Sequence, residues 1–420
     1  MRRDRIAILA VLAALAILAY LPVFQQPLIQ DDYPNIEQAR LFGPASAWPD
    51  LVSNTVFRYR ATFYLLTYAV DRLLGPGPMA FYGASVALHV LCVWLVFALG
   101  TWRLIGWRIS AIAAAFFAVY EGHQEAVMWY SASNELLLFL FGVASLVCWV
   151  RVVEKKGGWR WYVASLAAFA GALFSKESAV VFAALLLLPL LGARTARRAL
   201  LWWLPFGSLA AADQWLIFSD RASSFRFHDG SFSLTAPFWI TLPASCARLL
   251  WPWGLLAGLI LLLLRDKPHR QLVRVAALWI VVAFAPYSFL TYMHRIPSRQ
   301  TYLASLGLAW TVAAGFWALQ SRLRLHRPAV VVAVVAVVLA ANIGYLWTKK
   351  PQQFVERAAP VEALVALAAR TGGPIYMRSF PDPAIIYPAA LRMRVPKPVT
   401  LIWDARDRSH AVAEFAWPRR

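Results

Sequence analysis

Two adjacent carboxylates, Asp31 and Asp32, follow the first long apolar run, in the context Leu28-Ile29-Gln30-Asp31-Asp32-Tyr33-Pro34. Neighbouring carboxylates repel, so one keeps its proton unless a cation or a hydrogen-bond donor relieves the pair. That is the condition for a general base or for a metal ligand. A second polar group, Glu121-Gly122-His123-Gln124-Glu125-Ala126-Val127-Met128-Trp129, leads to Asn134-Glu135. His123 and Glu125 have the chemistry to hold a cation or to orient an acceptor, but their spacing is not the HExxH of zinc hydrolases, which removes a protease. A third group, Phe174-Ser175-Lys176-Glu177-Ser178, places Lys176 to hold a phosphate as a point charge with Glu177 restraining it. The fourth runs from Tyr292 and Met293 through His294 and Arg295 to Arg299 and Tyr302, and its arginines suit a phosphate or pyrophosphate. No P-loop, GxGxxG fingerprint or Ser-His-Asp order appears, so no nucleotide-driven or Rossmann chemistry is indicated.

The elements that must position these groups belong in lipid. Of 420 residues, 60% are hydrophobic and only 15% charged, well outside the balance of a soluble domain. The 14% of aromatic residues fits rings that anchor helix ends at a membrane interface. The net charge of +20 would suggest nucleic acid in a soluble protein, but here the basic residues sit between apolar runs and face headgroups, so no nucleic-acid partner is expected. Cys92, Cys148 and Cys246 all lie within apolar runs and form neither a metal-ligand pattern nor a disulfide framework.

About eleven apolar runs are read as spans, at residues 6–24, 79–100, 109–120, 136–150, 161–174, 179–191, 200–218, 238–264, 275–290, 302–319 and 329–347. The basic segments 2–5, 103–108, 151–160, 194–198, 265–274 and 322–327 then share one side, which places the N-terminus inside and the C-terminus outside. The first run is taken as a retained helix rather than a cleaved signal peptide. Most acids gather towards the outer face: Asp31, Asp32, Glu37, Asp50, Asp71, Glu121, Glu125, Glu135, Glu177, Asp213, Asp220 and Asp229. Acids clustered at one membrane depth line a wet cavity or pair with a substrate. The expected fold is thus an all-α polytopic membrane protein. Residues 1–348 form its transmembrane domain, with a large first extracytoplasmic loop (25–78) carrying an interfacial helix with Phe57, Arg58, Arg60 and Leu73. Residues 349–420 form a small extracytoplasmic α/β tail, with a helix at 354–369 and strands at 374–377 and 399–403.

In order and spacing, these motifs resemble those of the C-type polytopic membrane glycosyltransferases, within the protein O-mannosyltransferase-like group. The resemblance is carried by Asp31-Asp32, by the stretch from His123 to Trp129, by Glu135, by Ser175-Lys176-Glu177-Ser178, and by Arg299 to Ser305 opening a late span. It implies a polyprenyl-phosphate-linked sugar as donor, transfer at the outer leaflet, and Asp31 or Asp32 as the base that takes the acceptor's hydroxyl proton. It also implies cationic groups on the departing lipid phosphate, drawn from Arg58, Lys176, Arg295 and Arg299. His123, Glu125, Glu135, Glu177, His294 and Tyr302 are then expected around the acceptor or along the cavity. The acceptor is a glycan, a lipid or a protein. Members of this type differ in metal use, and a divalent ion here would fall near Asp31, Asp32 and Glu125. Two features depart from the pattern: Ser133 and Asn134 stand where an arginine often precedes the acid of the fourth span, and no helical repeat array follows the last span.

Two other classes share this composition. A transporter or flippase of lipid-linked sugars should show broken spans in two related halves with polar groups at the midplane, which this sequence lacks. A non-catalytic scaffold that binds lipid-linked sugar would carry the same residues. The expected setting is the cytoplasmic (inner) membrane, with the active site on its extracytoplasmic face.

Overall fold

The computed structural model describes residues 2–154, 157–191, 196–222, 231–291, 294–322 and 328–418. Parts of the basic segments 151–160, 194–198 and 322–327, together with Asp229, Tyr292 and Met293, lie outside the described residues. The helices of nine residues or more are α1 (Arg2–Tyr20), α2 (Asp32–Phe42), α3 (Ala61–Leu74), α4 (Pro78–Ala98), α5 (Gly106–Val119), α6 (Ser133–Val153), α7 (Trp159–Leu173), α8 (Ala196–Ser219), α9 (Phe238–Leu250), α10 (Trp253–Leu263), α11 (Arg270–Phe284), α12 (Ser305–Arg322), α13 (Pro328–Thr371) and α14 (Ile386–Arg394). Three short strands close the chain: β1 (Ile375–Ser379), β2 (Leu401–Ile402) and β3 (Ala413–Ala416).

The expectation of about eleven spans is corrected by the helices themselves. Among the described residues five are long and apolar enough to cross a membrane: Asp4–Gln25, Pro78–Thr101, Tyr130–Val153, Arg270–Phe289 and Val332–Thr371. A sixth is obtained if α9 and α10, bent by 79° at their junction, count as one. Of the other runs, α8 and α12 keep helices of 24 and 18 residues but are not apolar enough, and the rest lose length. At about 1.5 Å per residue, α5 and α7 rise only some 21–23 Å against a hydrocarbon core of about 30 Å. Residues 179–191 break into a 3-10 turn, the short helix Val181–Leu185 and a second 3-10 turn. The placement of the C-terminus outside followed from an odd count of eleven and falls with that count, whereas the N-terminus inside was read from the basic segments. The chain remains an integral membrane protein with an all-helical membrane region.

Polar side chains and small residues, rather than apolar contact alone, hold these helices together. In lipid there is no hydrophobic drive between apolar helices, so close packing and interhelical hydrogen bonds decide who pairs with whom. α6 and α7 lie against each other because Ser145 and Ser165 each donate to the other's carbonyl at 2.8 Å. The indole N–H of Trp94 on α4 donates to Leu9 O on α1, at 3.0 Å. Ser110 on α5 donates to Val96 O on α4, at 2.6 Å. Trp279 on α11 donates to Leu303 O, just ahead of α12, at 2.8 Å. These bonds thread a continuous core in which Trp149, Trp279, Trp310 and Tyr302 are fully buried.

The first loop folds back onto the bundle. Its expected interfacial helix is two pieces, Thr55–Tyr59 and α3, with a break at Arg60 where the backbone leaves the helical region. α3 buries Phe63, Tyr64, Thr67 and Val70, and its Asp71 takes a two-pronged contact from Arg40 of α2 at 2.9 and 2.8 Å. At the other end of the chain, the run at 329–347 and the helix expected at 354–369 form one 44-residue helix, α13, despite Pro351 and Pro360 within it. Each proline removes one N–H from the helix ladder, Pro351 at a half-buried position and Pro360 at a buried one. Beyond α13, β1 pairs in parallel with both β2 and β3, giving the order β2-β1-β3. α14 packs on α2 and α13, so the end of the chain is laid against the loop that follows α1.

The contact of α11 with α12 depends on Gly307, where a Cβ would stand 2.5 Å from the Ala276 carbonyl oxygen and 2.8 Å from Ile280 Cγ1. Backbone cannot yield as a side chain can. Gly307→Ala is expected to lower stability by about 1–3 kcal/mol through overpacking. A thermal melt of the detergent-solubilised protein checks this, and an unchanged midpoint would show that the two helices part at no cost.

Candidate active site

One large cavity, of about 750 Å³, opens among the first loop, the 121–135 segment, the start of the 176–190 segment, the end of α8 and the loop before α12. Its polar lining includes Asp31, Arg60, Lys176, Glu177 and Arg299, and its apolar lining includes Ile217, Phe218, Leu234, Phe289 and Leu290. The two acids of the first loop part company here. Asp31 lines the cavity, whereas Asp32 is wholly buried behind it.

Asp32 is consumed by structure. Its Oδ2 accepts from Ile29 N at 2.9 Å, and its Oδ1 accepts from Ser131 N at 2.8 Å and Ser131 Oγ at 2.7 Å. One carboxylate thereby ties the first loop to the loop between α5 and α6, and Asn35 Nδ2 reinforces the tie by donating to Ser131 Oγ at 3.0 Å. Burial pushes the Asp32 carboxyl up to about 6, against the lowering effect of the bonds from Ile29 and Ser131. Burial also raises Asp31, opposed by Arg299, Arg60 and Arg357. A base with a pKa above the ordinary carboxylate value is the stronger proton acceptor once ionised.

Ion pairs fix the surrounding cations. Lys176, which is 5% exposed, is bound to Glu135, at 2% exposed. Glu135 Oε2 also accepts from Tyr287 Oη at 3.0 Å, and Ser178 Oγ lies 2.7 Å from the same phenol. Glu125 accepts from Ser298 Oγ at 2.7 Å and Arg299 N at 3.2 Å, with the Arg299 and Arg357 guanidiniums at 4.0 and 3.8 Å. Burial alone would raise Glu125, but the Ser298 hydroxyl and Arg299 outweigh it and hold its carboxyl below the usual range. Both guanidiniums lie over the Trp129 ring, 5.0 and 4.4 Å from its centroid. Arg60 feels the charges of Glu177, Glu135 and Asp31.

The other candidates from the sequence lie elsewhere. Arg58 is outside the cavity lining and pairs with Asp220 and the Tyr59 phenol. His294 and Arg295 are exposed, away from the lining. His123 and Tyr302 belong to a buried aromatic cluster: their rings are 4.4 Å apart, His123 Nε2 lies 2.6 Å from Ser305 Oγ, and Tyr302 Oη lies 2.7 Å from His89 Nδ1. The proposed metal ligands do not form a set. Both Asp32 oxygens accept hydrogen bonds from the protein, Glu125 is held by Ser298 and two arginines, and among the described residues no three His, Cys, Asp or Glu side chains converge as ligands.

Two basic residues are site members that the sequence did not single out for this role. Arg60 reaches the cavity because the helix breaks there, and Asn134, where an arginine was the expectation from the resemblance, lines the same cavity. Arg357 comes from α13, more than 300 positions from Asp31, and no local pattern could have placed it.

The chain aligns with two solved structures of ArnT from Cupriavidus metallidurans, one bound to undecaprenyl phosphate (TM-score 0.56, 15% identity, 99% of this chain and 90% of that one) and one in the apo state (0.59, 14%, 98% and 90%). It also aligns with the archaeal oligosaccharyltransferase AglB from Archaeoglobus fulgidus, in complex with an inhibitory peptide and a dolichol-phosphate (0.54, 11%, 94% and 64%). The chain therefore shares the fold of these structures. Residues 62–218, from α3 through α8, match the family described as dolichyl-phosphate-mannose-protein mannosyltransferase. No curated protein matches the sequence.

The division of labour between the two acids is open to a direct check. Asp32→Ala leaves the Ile29 and Ser131 donors buried without an acceptor and is expected to cost roughly 2–3 kcal/mol of stability. Asp31→Ala is expected to leave the unfolding temperature unchanged. Equal destabilisation by both, in melts of detergent-solubilised protein, would refute the assignment of Asp32 as the structural member.

Proposed function

We propose that this protein is a membrane glycosyltransferase that moves a sugar from a polyprenyl-phosphate-linked donor to an acceptor hydroxyl, with Asp31 as general base. The observation that carries the reading is the cavity itself, in which Asp31, Arg60, Lys176 and Arg299 share one space with a lining of apolar side chains. A polyprenyl-phosphate sugar presents that combination of anionic head, polar sugar and apolar tail. The ArnT structure is bound to undecaprenyl phosphate and the AglB structure to a dolichol-phosphate, which supports a donor of this kind here. We further assign residues 1–348 to the catalytic membrane domain and 349–420 to a C-terminal segment, in the cytoplasmic membrane with the cavity on its extracytoplasmic side.

The chemistry follows from the groups. The acceptor oxygen attacks the anomeric carbon while its proton passes to Asp31, and the bond from that carbon to the phosphate oxygen breaks with its electron pair left on the phosphate. Charge therefore builds on the departing phosphate. Arg60 and Arg299 are the cations placed to meet it, and Lys176, held by Glu135, supplies a fixed field beside them. Fixed donors cost little reorganisation at the moment of reaction. Attack and departure on opposite faces of the anomeric carbon invert its configuration.

Purified protein in lipid, offered radiolabelled polyprenyl-phosphate sugars and membrane extract as acceptor, should transfer label. Asp31→Asn should lower transfer by about 10²–10⁴-fold, the contribution of a general base. Transfer at the wild-type rate in that variant would remove Asp31 as base, and label crossing the bilayer without transfer would favour a flippase instead.

The pH profile carries a second expectation. Because Asp31 must be ionised to accept a proton and burial raises its pKa, kcat/KM should fall as pH drops through a midpoint above the ordinary carboxylate value of 3.8. A profile with no acid limb above that value would contradict an ionised Asp31 in this environment.

A further inference from the structure

Resting on Asp31 as the base, we propose that the C-terminal segment positions it through a two-sided clamp on the preceding residue, Gln30, made by Arg357 and Asp382. Gln30 stands in the left-handed region, at φ 44°, one residue before Asp31. A residue with a Cβ holds that conformation only where its surroundings enforce it. Here the enforcing contacts fall on its side chain. Gln30 Nε2 donates to Asp382 Oδ1 at 2.8 Å, and Gln30 Oε1 accepts from Arg357 Nη2 at 2.5 Å and Nε at 3.1 Å.

The two ends of the amide are thus read by partners of opposite charge. An acceptor of full negative charge faces its N–H, and a donor of full positive charge faces its carbonyl, so the pairing fits an amide and opposes a carboxylate. Each partner is itself anchored. Asp382 is 9% exposed and accepts from Tyr387 Oη at 3.3 Å, while Arg357 is held between Glu125 and the Trp129 ring. Arg394 donates to Tyr33 Oη at 3.3 Å, and Arg392 pairs with Glu37, so the same segment grips this stretch at two further points.

Asp31 needs such an arrangement. Among the described residues its carboxylate interacts only through the fields of nearby charges, not through a hydrogen bond, so its place in the cavity is set by its backbone. Asp32 anchors that backbone from the following side through Ser131, and the clamp on Gln30 anchors it from the preceding side. Gln30, Arg357 and Asp382 are positioning residues, since they act on Asp31 and not on the reacting atoms.

The test exchanges donor and acceptor across one arm of the clamp. Gln30→Glu sets a carboxylate against Asp382, whereas Gln30→Glu combined with Asp382→Asn restores a donor facing an acceptor with the roles reversed and keeps Arg357 in place. In full-length protein in nanodiscs, two quantities are read: amide hydrogen exchange over residues 28–36, and steady-state transfer from the undecaprenyl-phosphate sugar that the wild type turns over. Gln30→Glu should speed exchange in that stretch and lower kcat by about tenfold or more with KM for the donor within about twofold. The double variant should recover both to within about threefold of wild type, a coupling that independent sites do not show. Wild-type exchange and kcat in Gln30→Glu, or a double variant no better than that single one, would overturn the proposal. If the wild type transfers no sugar from any donor, the glycosyltransfer reading fails by itself. The exchange data then still decide the clamp: the same loss and recovery keep it, and unchanged exchange removes it.

Discussion

The buried carboxylate of Asp32 is the constraint on which the site depends. It accepts three hydrogen bonds across two loops that are separated by about a hundred residues of chain, and those bonds bring the segment after α1 against the segment before α6. Without them the tie between the two loops would rest on Asn35 alone among these bonds, and the backbone donors at Ile29 and Ser131 would need partners in a place closed to water. The cost is visible in the raised pKa of Asp32, which shows that burial outweighs the hydrogen bonds it receives. Its partner Asp31 is left at the cavity wall, also raised by burial but in reach of positive fields. Two carboxylates of identical chemistry take different roles because their surroundings differ.

The same economy governs the cations. The site gathers Arg60, Lys176, Arg299 and Arg357 with Asp31, Asp32, Glu125, Glu135 and Glu177, so burial of charge is compensated almost group by group. Lys176 with Glu135 is the most deeply desolvated pair and is held on one side by Tyr287. Glu125 divides its two oxygens among a hydroxyl, an amide and two guanidiniums. Such pairs contribute little net stability, yet they set the orientation of each cation and keep it ready for an incoming phosphate. The long helix α13 takes part, carrying Arg357 from the C-terminal region into the charge network of the first loop.

Much of this was legible in the sequence for identifiable reasons. Acids and bases are expensive near lipid, so their positions between apolar runs marked Asp31, Glu125, Glu135, Lys176 and Arg299 before any geometry was known. Arg58, His294, Arg295, His123 and Tyr302 were marked by the same logic, and the structure sets them outside the cavity, in a half-buried ion pair, an exposed loop or the aromatic core. Residue type says that a group is costly to bury, and its partner in space decides whether the cost serves binding or packing. The span count went astray by a related confusion. Apolar composition does not report length, and α5, α7 and the 179–190 segment carry that composition without the length to cross a bilayer.

By itself, the sequence determined that this chain lives in a membrane, that acidic and basic residues are gathered between its apolar runs, and that Asp31 and Asp32 follow the first of those runs. Those conclusions follow from residue type and spacing, which are local properties. Only the tertiary structure decided that Asp32 is a strut and Asp31 a wall residue, that Lys176 pairs with Glu135, and that Arg60 and Arg357 belong to the site. Each of these turns on a contact between residues distant along the chain, or on a break in a helix that aims one side chain, and neither has a signature in the linear order of residues.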